Sequence, residues 1–116
     1  RKDVMNWLKN SDLFVFASSC ENMPNTLIEA MSAGIPIACS YRGPMIEVLK
    51  DGGLYFNPEE PSSIEFAIFE LIKDEEIRTR CQKRAKDLSS FYSWQKCAKQ
   101  TLEFIKETYL NLKKIK

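Results

Sequence analysis

At 116 residues the chain suits one compact core, and folding at this size hides roughly two-thirds of the surface that the unfolded chain exposes. A balance of 17 Lys+Arg against 16 Asp+Glu leaves a formal charge of +1, which speaks against nucleic acid as a partner, since phosphate-backbone contacts call for a dominant basic surface. There is no histidine and no CxxC pair among Cys20, Cys39, Cys81 and Cys97, so no metal centre is expected.

No apolar run approaches the roughly 20 residues that span a bilayer, and the opening RKDVMNWLKN lacks the apolar core of a signal peptide. With its cysteines read as small buried hydrophobes suited to a reducing compartment, the chain is placed in the cytoplasm. Val4, Met5, Trp7 and Leu8 look like the end of an amphipathic helix whose start lies upstream, which gives the chain the character of an excised piece.

Residues 13–18 (LFVFAS) and 35–39 (IPIAC) are short, apolar throughout and rich in β-formers, as buried strands are. Between them, residues 25–34 (NTLIEAMSAG) place Leu27, Ile28, Ala30 and Met31 on a helical period that ends in glycine before Pro36. Residues 44–52 (PMIEVLKDG) repeat the scheme as a shorter helix, followed by a strand at 54–57 (LYFN). Strands alternating with helices imply parallel pairing through crossovers. Helices are then expected at 61–73, at 75–89 and from an N-cap at Ser93 to about Leu112, the last lying against something apolar with Phe91, Tyr92 and Trp94 as packing anchors. The fold class is therefore α/β: a partial Rossmann-like three-layer domain over residues 1–116, with a parallel sheet of about three strands and a helical C-terminal half.

The stretch with chemical promise is SSCENMPNTLIEAMSAG, residues 18–34, a polar loop at the carboxyl end of a buried strand that runs into a helix. Ligands of parallel α/β sheets bind at that edge, and a helix N-terminus offers free N–H groups and a positive dipole end to a phosphate. Asn25 and Thr26 add side-chain donors. Glu21 and Glu29 flank the niche, and each carboxylate can accept from two neighbouring hydroxyls, as on a ribose or a hexose. Plainer roles fit the same residues: Thr26 and Glu29 match an S/T-x-x-E capping box, Asn25 fits an N-cap, Pro24 a rigid turn and Glu21 a solvated loop acid. Without a histidine partner the cysteines read as structural.

Glu21-Asn22-Met23-Pro24-Asn25-Thr26-Leu27-Ile28-Glu29-Ala30-Met31 resembles the E-x7-E segment of group 1 (family 4) glycosyltransferases of the GT-B fold. The likeness extends to Ser11-Asp12-Leu13-Phe14-Val15-Phe16 before it, to Ala33-Gly34-Ile35-Pro36-Ile37, Gly43-Pro44-Met45-Ile46-Glu47 and Asp51-Gly52-Gly53-Leu54-Tyr55-Phe56 after it, and to Phe91-Tyr92-Ser93-Trp94. The resemblance implies the C-terminal, donor-binding domain of an enzyme that moves a sugar from a nucleotide-diphosphate donor to an acceptor hydroxyl, with retention and without an essential metal. It implies that Glu21 contacts the transferred sugar, that Asn22, Met23 and Asn25 line the sugar and diphosphate, that Thr26 and Leu27 hold the phosphates, and that Glu29 accepts from the ribose. Many members carry glycine where this chain has Asn22, and Ala17-Ser18 replaces the family's Pro-Ser.

The family's basic residues that neutralise the leaving diphosphate, and its N-terminal acceptor domain, lie in sequence earlier than this chain, so these 116 residues are expected not to turn over alone. An exposed sheet edge predicts self-association, and the Lys113, Lys114, Lys116 tail leaves room for peripheral membrane contact at the cytoplasmic face. Two alternatives stay open: a nucleotide-sugar epimerase or hydrolase of the same fold, told apart by its products, and a non-catalytic phosphate-binding α/β module.

Overall fold

The computed structural model describes residues 3–115. Its centre is the strand that the sequence makes most apolar, with every residue from Ile37 to Ser40 buried. This strand, β2 (Ile37–Ser40), pairs in parallel with β1 (Phe14–Phe16) on one side and β3 (Leu54–Phe56) on the other. The register sets Phe14 opposite Ile37, and Ala38 opposite Leu54.

Parallel neighbours need a crossover. The first is α2 (Asn25–Ala33) and the second the short α3 (Met45–Leu49). Because successive strand residues face opposite sides of a sheet, β2 feeds two cores. Ile37 and Cys39 meet Leu27, Ala30 and Met31 of α2, Met45 and Leu49 of α3, and Ala85 and Leu88 of α5 (Glu75–Ser89). Ala38 on the other face meets Phe56 together with Ala67 and Leu71 of α4 (Pro61–Lys73). The result is three layers, with α1 (Val4–Lys9) adding Leu8 to the larger core. The α/β class, the three-stranded parallel sheet and the helical C-terminal half follow the expectation from sequence.

Each helix boundary has a local cause. α2 stops at Gly34, whose φ of 73° is left-handed and easy only for glycine, and Gln82 Nε2 donates to the Gly34 carbonyl at 2.9 Å to fasten α5 there. Pro61 opens α4, where its missing N–H costs nothing. Asp74 caps α5 by accepting from the Ile77 N–H at 2.9 Å, and Arg78 Nη1 closes α4 by donating to the Leu71 and Ile72 carbonyls.

Ser93 caps α6 (Trp94–Ile115) as expected, accepting from the Lys96 N–H at 3.1 Å. The rest of that helix corrects the sequence reading. Instead of packing, α6 projects from the body with its described side chains exposed, Trp94 at 75% and Phe91 before it at 61%. Only Tyr92 of the expected aromatic anchors reaches the core. A radius of gyration of 17.4 Å against about 13 Å for a compact chain of this length measures that projection. Val15 is a second correction: expected within a buried strand, it is 40% exposed, on the face where α4 packs over β2 and β3.

Candidate functional site

Parallel pairing brings the loops that leave β1, β2 and β3 to one edge of the sheet. The loop from Ala17 to Pro24 reaches the mouth of α2, and the loop from Tyr41 to Pro44 lies beside it. A Cβ built on Gly43 would stand 3.9 Å from the Glu21 carbonyl oxygen, so the two loops touch.

At the helix mouth the backbone is left with donors to offer. Asn25 N–H donates back to Met23 O at 2.9 Å and Ile28 N–H to Pro24 O at 3.1 Å. Thr26 and Leu27 N–H have no acceptor among the described residues. Pro24, not Asn25, occupies the N-cap position, and no side chain caps the helix. The capping box that Thr26 and Glu29 could have formed is not made. Glu29 is thus not consumed by the backbone, and neither Asn25 nor Thr26 is engaged as a cap.

Helical spacing decides which side chains look outward. Leu27, Ala30 and Met31 turn into the core, which leaves Asn25, Thr26 and Glu29 on the exposed side, three and four positions apart and hence neighbours on one face. Leu27 is fully buried, so only its N–H is available to a ligand. Glu21 is half-buried in the loop, and Asn22 and Met23 are exposed. The candidate residues therefore gather at one edge.

A groove of about 650 Å³ opens from the same helix mouth. Met23, Asn25 and Ile28 form one wall, and Phe91, Tyr92 and Trp94 at the start of α6 contribute to the other. Neither Glu21 nor Glu29 lines it. Sequence reasoning missed this groove because it took the three aromatics for packing anchors. It also passed over Arg42, which follows β2 at the same edge: Arg42 Nη2 pairs with Glu59 Oε1 at 3.3 Å, and its backbone N–H donates to the buried Ser40 hydroxyl at 3.1 Å. The signal was there, a charged residue between a buried strand and Pro44.

The cysteines divide. Cys39 and Cys81 are buried, whereas Cys20 and Cys97 are exposed, which corrects the expectation of buried thiols for that pair. Burial pushes the Cys39 thiol up to about 12, so it stays protonated and inert. Among the described residues no group of three or more His, Cys, Asp or Glu is placed to hold a metal ion, and no helix is long and apolar enough to cross a membrane.

Residues 1–88 match the family "Glycosyl transferases group 1". The chain belongs to the group 1 glycosyltransferases. It is 31% identical over 93 residues to an O-antigen chain mannosyltransferase B of Escherichia coli, an alignment that takes in 80% of this chain and 24% of that protein. With a probable sucrose-phosphate synthase of Beta vulgaris it shares 30% over 99 residues, 84% of this chain and 10% of the relative. The fold matches that of a sucrose-phosphate synthase from Thermosynechococcus elongatus with a TM-score of 0.79 at 19% identity, covering 90% of this chain and 27% of that one. This glycosyltransferase domain spans a quarter or less of the two curated relatives.

Proposed function

We propose that this domain binds the donor of a retaining glycosyltransferase, a nucleotide-diphosphate sugar, and that the transfer needs no metal ion. One observation carries the reading: among the described residues the Thr26 and Leu27 N–H groups have no acceptor at the mouth of α2, on the carboxyl edge of a parallel sheet, where a diphosphate gains both hydrogen bonds and the helix dipole. The uncapped state of α2 supports it further, because Asn25, Thr26 and Glu29 remain free to face a ligand.

In this reading the diphosphate rests on Thr26 and Leu27 N–H, Glu21 accepts from hydroxyls of the transferred sugar, and Glu29 accepts from the ribose. Asn22, Met23 and Asn25 line the sugar and diphosphate. The acceptor's hydroxyl oxygen bonds to the anomeric carbon on the face the diphosphate leaves, the carbon–oxygen bond to the diphosphate breaks, and the hydroxyl proton passes to the departing phosphate oxygen. Stabilising the charge on that diphosphate is the main catalytic device. The acceptor domain, and cations to complement the diphosphate, come from sequence outside these residues, so the domain alone is inactive. Four free thiols support a cytoplasmic setting.

The test is a panel of uridine, guanosine and adenosine diphosphate sugars offered to the full-length protein, with thermal shift for binding and release of the nucleoside diphosphate for turnover. A glycoside product of retained configuration is expected. Free sugar or an epimerised nucleotide as the only product would replace transfer with hydrolysis or epimerisation.

A further inference from the structure

From Trp94 to Ile115, α6 runs 22 residues, about 33 Å at the rise of an α-helix. The groove against α2 draws on α6 only up to Thr101, and every residue from Leu102 to Lys114 is exposed. Trp94, Leu102, Ile105, Tyr109 and Leu112 follow one another at helical spacing and share a side, each more than half exposed.

Lysines border that side. Lys99, Lys106 and Lys113 recur at intervals of seven along the edge next to Leu102 and Tyr109, and Lys113 Nζ lies 4.7 Å from the Tyr109 ring centre. Glu103 and Glu107 fall on the opposite side of the helix. Five lysines against two glutamates give α6 an excess of +3 in a chain whose formal charge is +1, so the residues outside it are acidic on balance.

An apolar face edged by lysines and set with a tryptophan and a tyrosine is the surface that an amphipathic helix presents to a bilayer. Its rings and aliphatic side chains enter the boundary between headgroups and acyl chains, while the lysine stems lie along that boundary and carry their ammonium groups to lipid phosphates. The same lysines keep the helix in the plane of the surface, and among the described residues no helix is long and apolar enough to cross a membrane. A protein partner fits less well, since lysine is depleted where proteins bury one another.

We propose that α6 lies flat on an anionic membrane surface, with the side from Leu102 to Leu112 in the interface and Lys99, Lys106 and Lys113 against lipid phosphates. The inference goes beyond the donor reading and does not depend on it. The acidic balance of the remaining residues in this chain opposes contact by the body and confines the attraction to the helix.

Flotation of the full-length protein with vesicles checks this, using phosphatidylcholine alone and phosphatidylcholine mixed with phosphatidylglycerol. Binding to the anionic vesicles only is expected, weakening several-fold as salt is raised to a molar level. Lys106→Gln combined with Lys113→Gln should lower the partition coefficient by about ten-fold or more. Ile105→Ser combined with Leu112→Ser should abolish binding. Both double variants should keep the wild-type melting temperature, because all four side chains are exposed. The proposal is overturned if the anionic vesicles carry no protein, if both kinds of vesicle carry it equally, or if either double variant binds as the wild type does. It is also overturned if Ile105→Ser with Leu112→Ser lowers the melting temperature without vesicles, which would mean that another part of the full-length protein covers the helix. A dimer that those two changes break, seen by light scattering, would assign the face to a second copy and overturn it as well.

Discussion

Arg84 Nε donates to Asp51 Oδ1 at 2.6 Å, which ties α5 to the turn between α3 and β3. That hydrogen bond is the main reason the Asp51 carboxyl is held below its ordinary 3.8. A carboxyl depressed in the folded state adds stability above its unfolded value and loses it as pH falls through the folded one. Both partners are solvated, so the contribution is small. Asp51→Asn is expected to lower the melting temperature slightly near neutrality and to match the wild type once the medium is well below 3.8. Melts across a pH series check this, and a gap that persists in acid would assign the effect to packing.

Gly53 marks a tighter constraint. A Cβ there would stand 2.6 Å from the Ile37 carbonyl oxygen and 2.8 Å from Leu49 Cδ2. The first of these is β2 backbone, which cannot swing aside as a side chain would. Gly53→Ala is therefore expected to cost about 1–3 kcal/mol, read as a lower urea midpoint with an unchanged slope. A wild-type midpoint would show that the β3 entry yields more readily than the sheet geometry allows.

The strand and helix order was legible because it rests on periodicity and on the flanking Gly34, Pro36 and Pro61, all local signals. Boundaries were less so. The strand expected at 13–18 pairs only over Phe14–Phe16, and the helix expected to 52 ends at Leu49, where Lys50 takes a positive φ of 49°. The α2 mouth was visible as a place but not as a state: only the structure shows Thr26 and Leu27 N–H free and the capping box unmade. The aromatics were misjudged for a physical reason. An amphipathic pattern such as that of α6 tells which face is apolar, not whether the residues that would cover it belong to the same stretch of chain.

The split between buried and exposed thiols leads to a labelling result. Cys39 is buried, with its thiol pushed up to about 12, and burial raises Cys81 as well, whereas Cys20 and Cys97 are open to solvent. Since the thiolate is the nucleophile, iodoacetamide at mildly alkaline pH should modify Cys20 and Cys97 in minutes and leave Cys39 and Cys81 until urea is added. Peptide mass mapping gives the order. Early modification of Cys39 would mean that β2 opens to solvent on the same timescale.

Leu27 and Glu29 lie two positions apart in α2 and face opposite ways, one fully buried and one exposed, so substitutions there should separate the scaffold from the site. Leu27→Ala removes a core side chain and is expected to cost about 2–5 kcal/mol. Glu29→Gln touches no packing and should leave stability within roughly 0.5 kcal/mol. It removes a charged acceptor, worth about 1.5–3 kcal/mol where it is made, so donor dissociation from the full-length enzyme should rise by about ten-fold or more. Glu21→Ala should instead lower kcat more than it raises donor KM, because a contact with the transferred sugar strengthens as charge develops at its anomeric carbon. The three variants together discriminate. If Glu29→Gln unfolds the domain as Leu27→Ala does, its carboxylate serves the helix after all; if Glu29→Gln and Glu21→Ala both leave donor kinetics intact, the mouth of α2 is not where the diphosphate sits.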